Sequence, residues 1–386
     1  MWGLDFNADA TLPADWRSGS FLGRLDFGQG PTPVLVQQGQ VFDVSGIAAT
    51  CAQFAALWVV GGPLAEGRAL GPLAELGLSS KADAAVWVLS PVDLQCIKAA
   101  GVTFADSALE RVIEEGARGD PAAAAGVRQR LEARIGGGLR QVSPGTPGAQ
   151  QLKAALIEEG LWSQYLEVAI GPDAEIFTKA PVLASVGWGA EVGIRSDSDW
   201  NNPEPEVVLV VAPNGRCVGA TLGNDVNLRD FEGRSALLLG KAKDNNASCA
   251  IGPFIRLFDA SFTMDDVRSA RVELSIRGDD GCLLQGVSNM SQISRDPEDL
   301  IAQALSEHQY PDGFCLFLGT LFAPVQDRDH PGRGFTHKVG DLVSISSARF
   351  GSLVNRVTTS RDAPPWTLGL GGLMGNLAAR GLLNKA

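Results

Sequence analysis

Apolar residues that alternate with polar ones, or run together in short stretches, mark the strands that this sequence predicts. A hairpin around Gln38-Gly39 begins the chain's first ordered unit, and a helical segment follows near Ala48–Val59. The period-two alternation of Arg271–Arg277 predicts a strand, which Gly278–Gly281 turns back into a partner at Cys282–Val287. Further strands are expected at Ala84–Leu89, Phe314–Leu321 and Asp341–Ser346.

Helical patterns dominate residues 104–165, ahead of the main run of strands. Asp106 or Ser107 can cap a helix that runs to about Ala117, and Asp120-Pro121 starts a second one. Glycines 136–138 end that helix, and a third begins near Gly148. This block suits either a movable cover or a plain helical insertion. Shorter helices are expected at Pro297–Ser306 and Leu368–Leu383.

The length of 386 residues predicts two domains, an N-terminal α/β domain over 1–90 and a larger one over 91–386. The net charge of −12 argues against nucleic acid or an anionic membrane as a partner. No signal peptide is recognisable, and no apolar run is long enough to span a membrane. Six scattered cysteines predict reduced, mostly buried thiols, and hence a cytoplasmic protein.

The most informative local pattern is a hairpin in the middle of the chain. Val207–Val211 is a β-branched run, Asn214-Gly215 is a strong turn signal, and Arg216–Leu222 returns as a second strand. Regular pairing about the turn places residue 225 opposite residue 204.

Three carboxylates are therefore expected on one side of this hairpin. Glu204 and Glu206 are two apart and face the same way, and Asp225 lies across from Glu204. Such a group repels itself unless a cation neutralises it, and its oxygens suit Mg²⁺, Mn²⁺ or Ca²⁺ better than zinc. The alternative is an ordinary solvated strand face. A lysine downstream, Lys241 or Lys243, can either shuttle a proton beside the metal, with its pKa lowered by the cation and by burial, or pair with Asp244 on the surface.

These motifs, in this order, resemble the fumarylacetoacetate hydrolase superfamily. The resemblance is carried by Glu204-Pro-Glu206, Asn224-Asp225 with Arg229-Asp230, Lys243 and Gly252-Pro253, and also by Phe177-Thr-Lys179 and Gly319-Thr320. It implies an α+β fold with a mixed β-roll or sandwich catalytic domain. It also implies Mg²⁺ on Glu204, Glu206 and Asp225, a functional Lys243, and a homodimer or homotetramer.

One position departs from the family's hydrolases, which activate water with a His-x-x-Glu pair. The corresponding residues here are Ser107 and Glu110, so hydrolysis of a C–C bond lacks its base. Asn201-Asn-Pro-Glu-Pro-Glu206 and the segment 242–253 look closest to the superfamily's sugar-acid dehydratases.

The resemblance to those dehydratases implies a lyase that converts 2-keto-3-deoxy-D-pentonate, a small sugar acid derived from arabinonate or xylonate, to 2,5-dioxopentanoate. In this interpretation Lys243 and Glu175 are the candidate acid–base residues, while Ser107, Thr320 and Glu232 hold the substrate. The alternatives are an acylpyruvate-type hydrolase, a keto-acid decarboxylase and a non-catalytic, metal-stabilised protein.

Overall fold

The computed structural model describes residues 2–61, 67–81, 83–131, 139–322, 324, 326–331 and 333–383. In chain order the strands are β1 Ser20–Asp26, β2 Pro31–Gln37, β3 Gln40–Asp43, β4 Arg68–Pro72, β5 Leu78–Ser79, β6 Val86–Val88, β7 Cys96–Gly101, β8 Glu175–Ala180, β9 Glu191–Ile194, β10 Asn201–Asn202, β11 Pro205–Val211, β12 Cys217–Asp225, β13 Asn227–Leu228, β14 Cys249–Leu257, β15 Arg271–Arg277, β16 Leu283–Asn289, β17 Phe314–Phe317, β18 Leu342–Ser347 and β19 Gly351–Thr359. The helices are α1 Ala8–Thr11, α2 Cys51–Val60, α3 Ala105–Gly116, α4 Pro121–Leu131, α5 Pro147–Glu158, α6 Gln164–Ile170, α7 Arg229–Glu232, α8 Leu239–Lys243, α9 Met264–Arg268, α10 Pro297–Leu305 and α11 Leu370–Ala379. Single turns of 3₁₀ helix lie at Leu73–Glu75, Ala236–Leu238 and Met290–Gln292.

Most strands belong to one twelve-stranded mixed sheet, with the order β4-β3-β2-β1-β14-β12-β11-β17-β7-β8 and with β5 and β6 joined beside β1. The strands of the first 90 residues enter it through β1, where Phe21 and Leu22 lie opposite Arg256 and Ile255 of β14. Strands from before and after residue 90 are therefore hydrogen-bonded to each other in one sheet. The division of the chain into two domains stays a prediction.

A second sheet, in the order β16-β15-β18-β19-β9, packs its apolar face into the same core. The alternation predicted for β15 is present, with Val272, Leu274 and Ile276 buried and the residues between them more exposed. Two mixed sheets together with a separate helical block agree with the predicted α+β class.

The central hairpin has the predicted register, although it reaches that register through two irregularities. Ala212 pairs with Arg216 around a three-residue loop, one residue longer than the loop that the sequence predicts. A bulge between Val210 and Val211 then shifts the pairing back. The two offsets cancel, so Pro205 lies opposite Asn224, as regular pairing requires.

The helical block α3 to α6 forms its own apolar cluster beside the sheets. Helix α3 begins two to three residues earlier than predicted, because Phe104 is its N-cap and both Asp106 and Ser107 lie within its first turn. Asp120 does cap α4, accepting a hydrogen bond from the amide of Ala122 at 2.9 Å. The predicted break at glycines 136–138 falls outside the described residues. Whether this block moves as a cover stays a prediction.

All six cysteines are unpaired thiols, as predicted, although only half of them are buried. The buried ones are Cys51, Cys249 and Cys315. Within the described part of the chain, no helix is both long enough and apolar enough to cross a membrane.

Candidate active site

All the site residues predicted from the sequence line one cavity at the carboxyl end of β12 and the start of β11. These residues are Ser107, Glu175, Glu204, Glu206, Asp225, Glu232, Lys243 and Thr320. They come from segments far apart in the chain, which the central hairpin, α3, α7 and α8 bring together. Their proximity is an observation, and their chemical roles are proposals.

The carboxylates of Glu204, Glu206 and Asp225 form the centre of this cavity. Each is buried, and each offers an oxygen that lies within 4.8 Å of the oxygens of the other two. Hard divalent cations such as Mg²⁺ are bound through carboxylate oxygens, so these three residues offer the donor set that such an ion prefers. The backbone sets the arrangement, because the amide of Asp225 donates to the carbonyl of Glu204 at 3.1 Å.

Two buried lysines contact this triad of carboxylates. Lys243 Nζ lies 2.5 Å from Glu204 Oε2 and 3.1 Å from Asp225 Oδ2. Lys179 Nζ lies 2.8 Å from Asp225 Oδ1 and also donates to the backbone carbonyls of Val226 and Lys243. Lys179 is thus fixed by the backbone around it, whereas the Lys243 ammonium contacts only side chains.

The electrostatics of Lys243 differ from the sequence prediction. Burial lowers the pKa of Lys243, but Asp225, Glu204 and Glu232 outweigh burial and raise this pKa above its ordinary value. The lowered lysine pKa that we predicted is therefore not what these side chains produce by themselves. The prediction depended on a bound cation, which would lower the pKa of Lys243, whereas the carboxylates around this lysine raise it.

Glu206 is the triad member without an ion-pair partner among the described residues. Its Oε2 accepts a hydrogen bond from the amide of Gly319 at 2.6 Å. Gly319 can aim this amide because its φ is 84° and because any side chain there would meet Thr103 Oγ1 at 2.1 Å. Burial, together with the charges of Asp225 and Glu204, raises the pKa of Glu206 well above its ordinary value.

Arg111 is a central residue of the site that the sequence did not reveal. Its guanidinium lies 2.7 Å from Glu204 Oε1 and 2.7 Å from Glu114 Oε2, and it also contacts Glu232. The available signal was the spacing of Ser107, Arg111 and Glu114, which puts three polar residues on one face of a helix that packs into the protein.

The remaining predicted residues surround the triad at the cavity wall. Burial raises the pKa of Glu175, although Arg111 and Lys243 oppose this shift. Burial likewise raises the pKa of Glu232, to about 7. Tyr165, which the sequence analysis also missed, donates its hydroxyl to the backbone carbonyl of Glu232 at 3.2 Å. Burial and the charge of Glu232 raise the pKa of Tyr165, so its hydroxyl stays protonated.

The positions that correspond to the hydrolases' histidine and glutamate are committed to structural contacts. Ser107 Oγ donates to the carbonyl of Phe104 at 2.8 Å. Glu110 binds Arg128 and, at 3.2 Å, Arg229. Neither residue is free to act as a base toward water.

The cavity carries the excess negative charge that a divalent cation would balance. Five of its lining residues are carboxylates, whereas only Arg111 and Lys243 bring positive charge to its surface. Lys179 adds one more cation behind Asp225. With all five carboxylates and all three cations ionised, the net charge is −2. This charge is buried, where an uncompensated charge is costly. The residues present therefore fit a divalent metal ion.

Replacing Arg111 with Met should strongly destabilise the metal-free protein. Glu204, Glu114 and Glu232 would lose a shared buried cation, and breaking such a buried network typically costs about 3–5 kcal/mol. The measurement is the free energy of urea unfolding in chelator, with Arg17→Met as the control, because Arg17 pairs with Asp9 on the surface. Such exposed pairs contribute about 0–1 kcal/mol. Equal free energies of unfolding for the two variants would contradict this account of Arg111.

Comparison with protein families identifies the larger part of the chain. The model of the fumarylacetoacetate (FAA) hydrolase C-terminal domain matches residues 151–358, which is more than half of the sequence. The match includes the triad, Lys243 and both sheet regions around them.

Two curated relatives resemble the chain over part of their length. The 2-dehydro-3-deoxy-D-arabinonate dehydratase of Saccharolobus solfataricus is 32% identical over 190 residues, which cover 48% of this chain and 59% of that one. The probable 2-keto-3-deoxyxylonate dehydratase of Haloferax volcanii is 30% identical over 202 residues, covering 52% and 66%. The chain therefore spans less than two thirds of either relative.

A solved structure extends the likeness to the whole fold. The 2-keto-3-deoxy-D-arabinonate dehydratase complexed with magnesium and 2,5-dioxopentanoate superposes with a TM-score of 0.62 at 20% identity, covering 88% of this chain and 99% of that chain. At this identity the likeness is one of fold, and it confirms the predicted fold class.

Proposed function

Because the chain belongs to the fumarylacetoacetate hydrolase family, we propose that it is a metal-dependent lyase that dehydrates 2-keto-3-deoxy-D-pentonate to 2,5-dioxopentanoate. The observation that carries this proposal is the buried triad with Lys243 bound to Glu204 and Asp225, in a cavity where Ser107 takes the place of the hydrolases' histidine. The names of the two curated relatives support the same reaction.

The metal would be held by Glu204, Glu206 and Asp225, with Mg²⁺ as the proposed ion and Mn²⁺ or Ca²⁺ as substitutes. Bound to these residues, such an ion would supply Lewis-acid polarisation of a 2-keto acid, which would make its C3 hydrogens more acidic. This activation of the C3 hydrogens depends on the three carboxylates, because they would hold the metal ion.

Dehydration needs a base for the C3 hydrogen and an acid for the departing C4 hydroxyl. We assign the proton shuttle to Lys243 and a second acid–base role to Glu175, since both line the cavity beside the triad. One water is lost, which leaves a C3–C4 double bond. Transfer of one C5 hydrogen to C3 then gives a C4–C5 enol, and transfer of the enol's O–H proton to C4 gives the aldehyde. Ser107 and Thr320 would hold the carboxylate or hydroxyls, and Glu232 would hold a distal hydroxyl.

Hydrolysis of an acylpyruvate is the runner-up, because metal chelation of a keto acid serves that reaction as well. It requires an activated water. The contacts of Ser107 with Phe104, and of Glu110 with Arg128 and Arg229, argue against such activation. A keto-acid decarboxylase and a non-catalytic, metal-stabilised protein are the remaining alternatives.

Product analysis on two substrate types tests the reaction class directly. With Mg²⁺ present we expect 2,5-dioxopentanoate from 2-keto-3-deoxy-D-pentonate and no detectable hydrolysis of acylpyruvates such as fumarylpyruvate. Faster acylpyruvate cleavage than aldehyde formation would overturn the dehydratase assignment. No turnover of either substrate type, with Mg²⁺ bound, would favour the non-catalytic alternative.

We also propose that the protein works in the cytoplasm as a homodimer or homotetramer and binds neither nucleic acid nor membranes. The unpaired cysteines support the cytoplasm as the compartment. The net charge of −12 argues against binding to nucleic acid or to an anionic membrane.

A further inference from the structure

A second, smaller space adjoins the substrate cavity, and two residues that line it, Asn202 and Asn227, have no role in the chemistry assigned above. We call it the inner chamber and define it by Asn202, Asn227 and Thr320 together with Ser107, Arg111 and Glu204. The last three and Thr320 line both spaces, so the chamber opens from the cavity beside the triad. Its volume of about 30 Å³ suffices for roughly one water molecule.

Two asparagines that line the inner chamber each have a buried side-chain oxygen with no hydrogen-bond partner within the described part of the chain. Asn202 and Asn227 are directly opposed on β10 and β13, and their exposed fractions are 3% and 1%. The amide nitrogen of Asn202 donates to the carbonyl of Pro203 at 2.8 Å, but Oδ1 of each asparagine is left without a donor. Buried acceptors of this kind are normally satisfied, so their common neighbourhood indicates a missing donor.

Thr320 supplies a hydrogen-bond donor at the same chamber, namely its side-chain hydroxyl. Its Oγ1 accepts a hydrogen bond from the amide of Phe322 at 3.1 Å, and its own hydrogen has no acceptor among the described residues. A molecule that donates twice and accepts once would satisfy both asparagines and Thr320. Water does this, and about three hydrogen bonds are typical of a buried water.

We propose that the inner chamber is a water-binding site that receives the hydroxyl group released from C4, and this inference rests on the proposed function. A base in the cavity takes the C3 proton and the C3–H electron pair forms the C3–C4 double bond, while the C4–O bond breaks and its electron pair leaves with the oxygen. The oxygen gains one proton from the acid in the cavity and becomes water. Asn202, Asn227 and Thr320 then hold that water apart from the keto acid.

The test compares elimination with hydrogen exchange in one variant, Asn227→Leu, which removes an acceptor and fills the chamber. We expect elimination from 2-keto-3-deoxy-D-pentonate to fall about 10- to 100-fold, the size of effect seen when a single buried hydrogen-bond partner is lost. Exchange of the C3 hydrogens of 2-oxopentanoate into D₂O, followed by NMR, should stay within about 2-fold of wild type. That substrate lacks the hydroxyl and is the internal control.

Two structural readouts accompany the kinetics. Crystals of the metal-free protein should show an ordered water between Asn202, Asn227 and Thr320, and crystals of the variant should lack it. Thr320→Val, which removes the donor at constant volume, should also displace this water.

Each result bears on a different claim. Wild-type elimination rates in Asn227→Leu, an equal loss of C3 exchange, or a chamber without water in the wild-type crystal would overturn the inference while leaving the dehydratase intact. Failure of the wild-type protein to eliminate water from the sugar acid would instead overturn the proposed function, and the inference with it.

Discussion

Glu206→Gln is expected to abolish nearly all turnover and to weaken Mg²⁺ binding strongly. Glu206 is buried, and it is the triad member that no described lysine or arginine neutralises. Burial first, and then Asp225 and Glu204, disfavour its charge in the metal-free site and raise its pKa. Its charge is therefore useful only to a cation that all three carboxylates share.

The same reasoning predicts opposite effects on stability with and without metal. In chelator, the variant should be at least as stable as wild type, because it loses a buried and repelled charge. With Mg²⁺ at 100 times its dissociation constant, wild type should gain about 2.7 kcal/mol of unfolding free energy, and the variant much less. Glu273→Gln, on an exposed position of β15, is the matched control. Full activity in chelator, or in Glu206→Gln, would disprove the metal assignment.

Lys243→Met should lower kcat by at least ~10²-fold, the contribution typical of a positioned acid–base group. The ammonium lies between Glu204 and Asp225 and is within 3.8 Å of Glu232, so it lies in the cavity beside the carboxylates that would hold the metal ion. Stopped-flow or progress-curve measurement of aldehyde formation gives kcat. The fold and the affinity for Mg²⁺ should survive.

Lys241→Met is the matched control for this experiment. It lies on the same helix, α8, two residues earlier, but its side chain is exposed and extends over the ring of Phe231 at 5.1 Å. We expect it to retain wild-type kcat. A damaging Lys241→Met beside a harmless Lys243→Met would show that the wrong lysine has been placed in the site.

The hairpin shows how far local sequence information reaches. The β-branched run Val207–Val211 and the turn at Asn214-Gly215 predicted that Glu204 and Asp225 lie across from each other, and the structure agrees. Neither the three-residue loop nor the bulge at Val210/Val211 was predicted, because the Asn214-Gly215 signal implies a two-residue loop and regular pairing. The prediction of the register survived because the longer loop and the bulge offset each other.

The sequence by itself predicted that Glu204, Glu206 and Asp225 share one side of a hairpin, and the structure brings them together. That prediction follows from strand alternation and turn chemistry, which act over a few neighbouring residues. The class of fold and the choice of Lys243 came instead from the resemblance of the motifs, in their order, to the fumarylacetoacetate hydrolase superfamily.

Only the tertiary structure decided what surrounds those ligands. Arg111 meets Glu204 and Glu232 across 93 and 121 residues of chain, and Asn202 meets Asn227 through a two-residue ladder. The same reason accounts for the pKa of Lys243, which three carboxylates raise above its ordinary value in the metal-free site. Charge balance and buried hydrogen bonding depend on distances between side chains that are remote in sequence, and these distances exist only once the sheets and helices have packed.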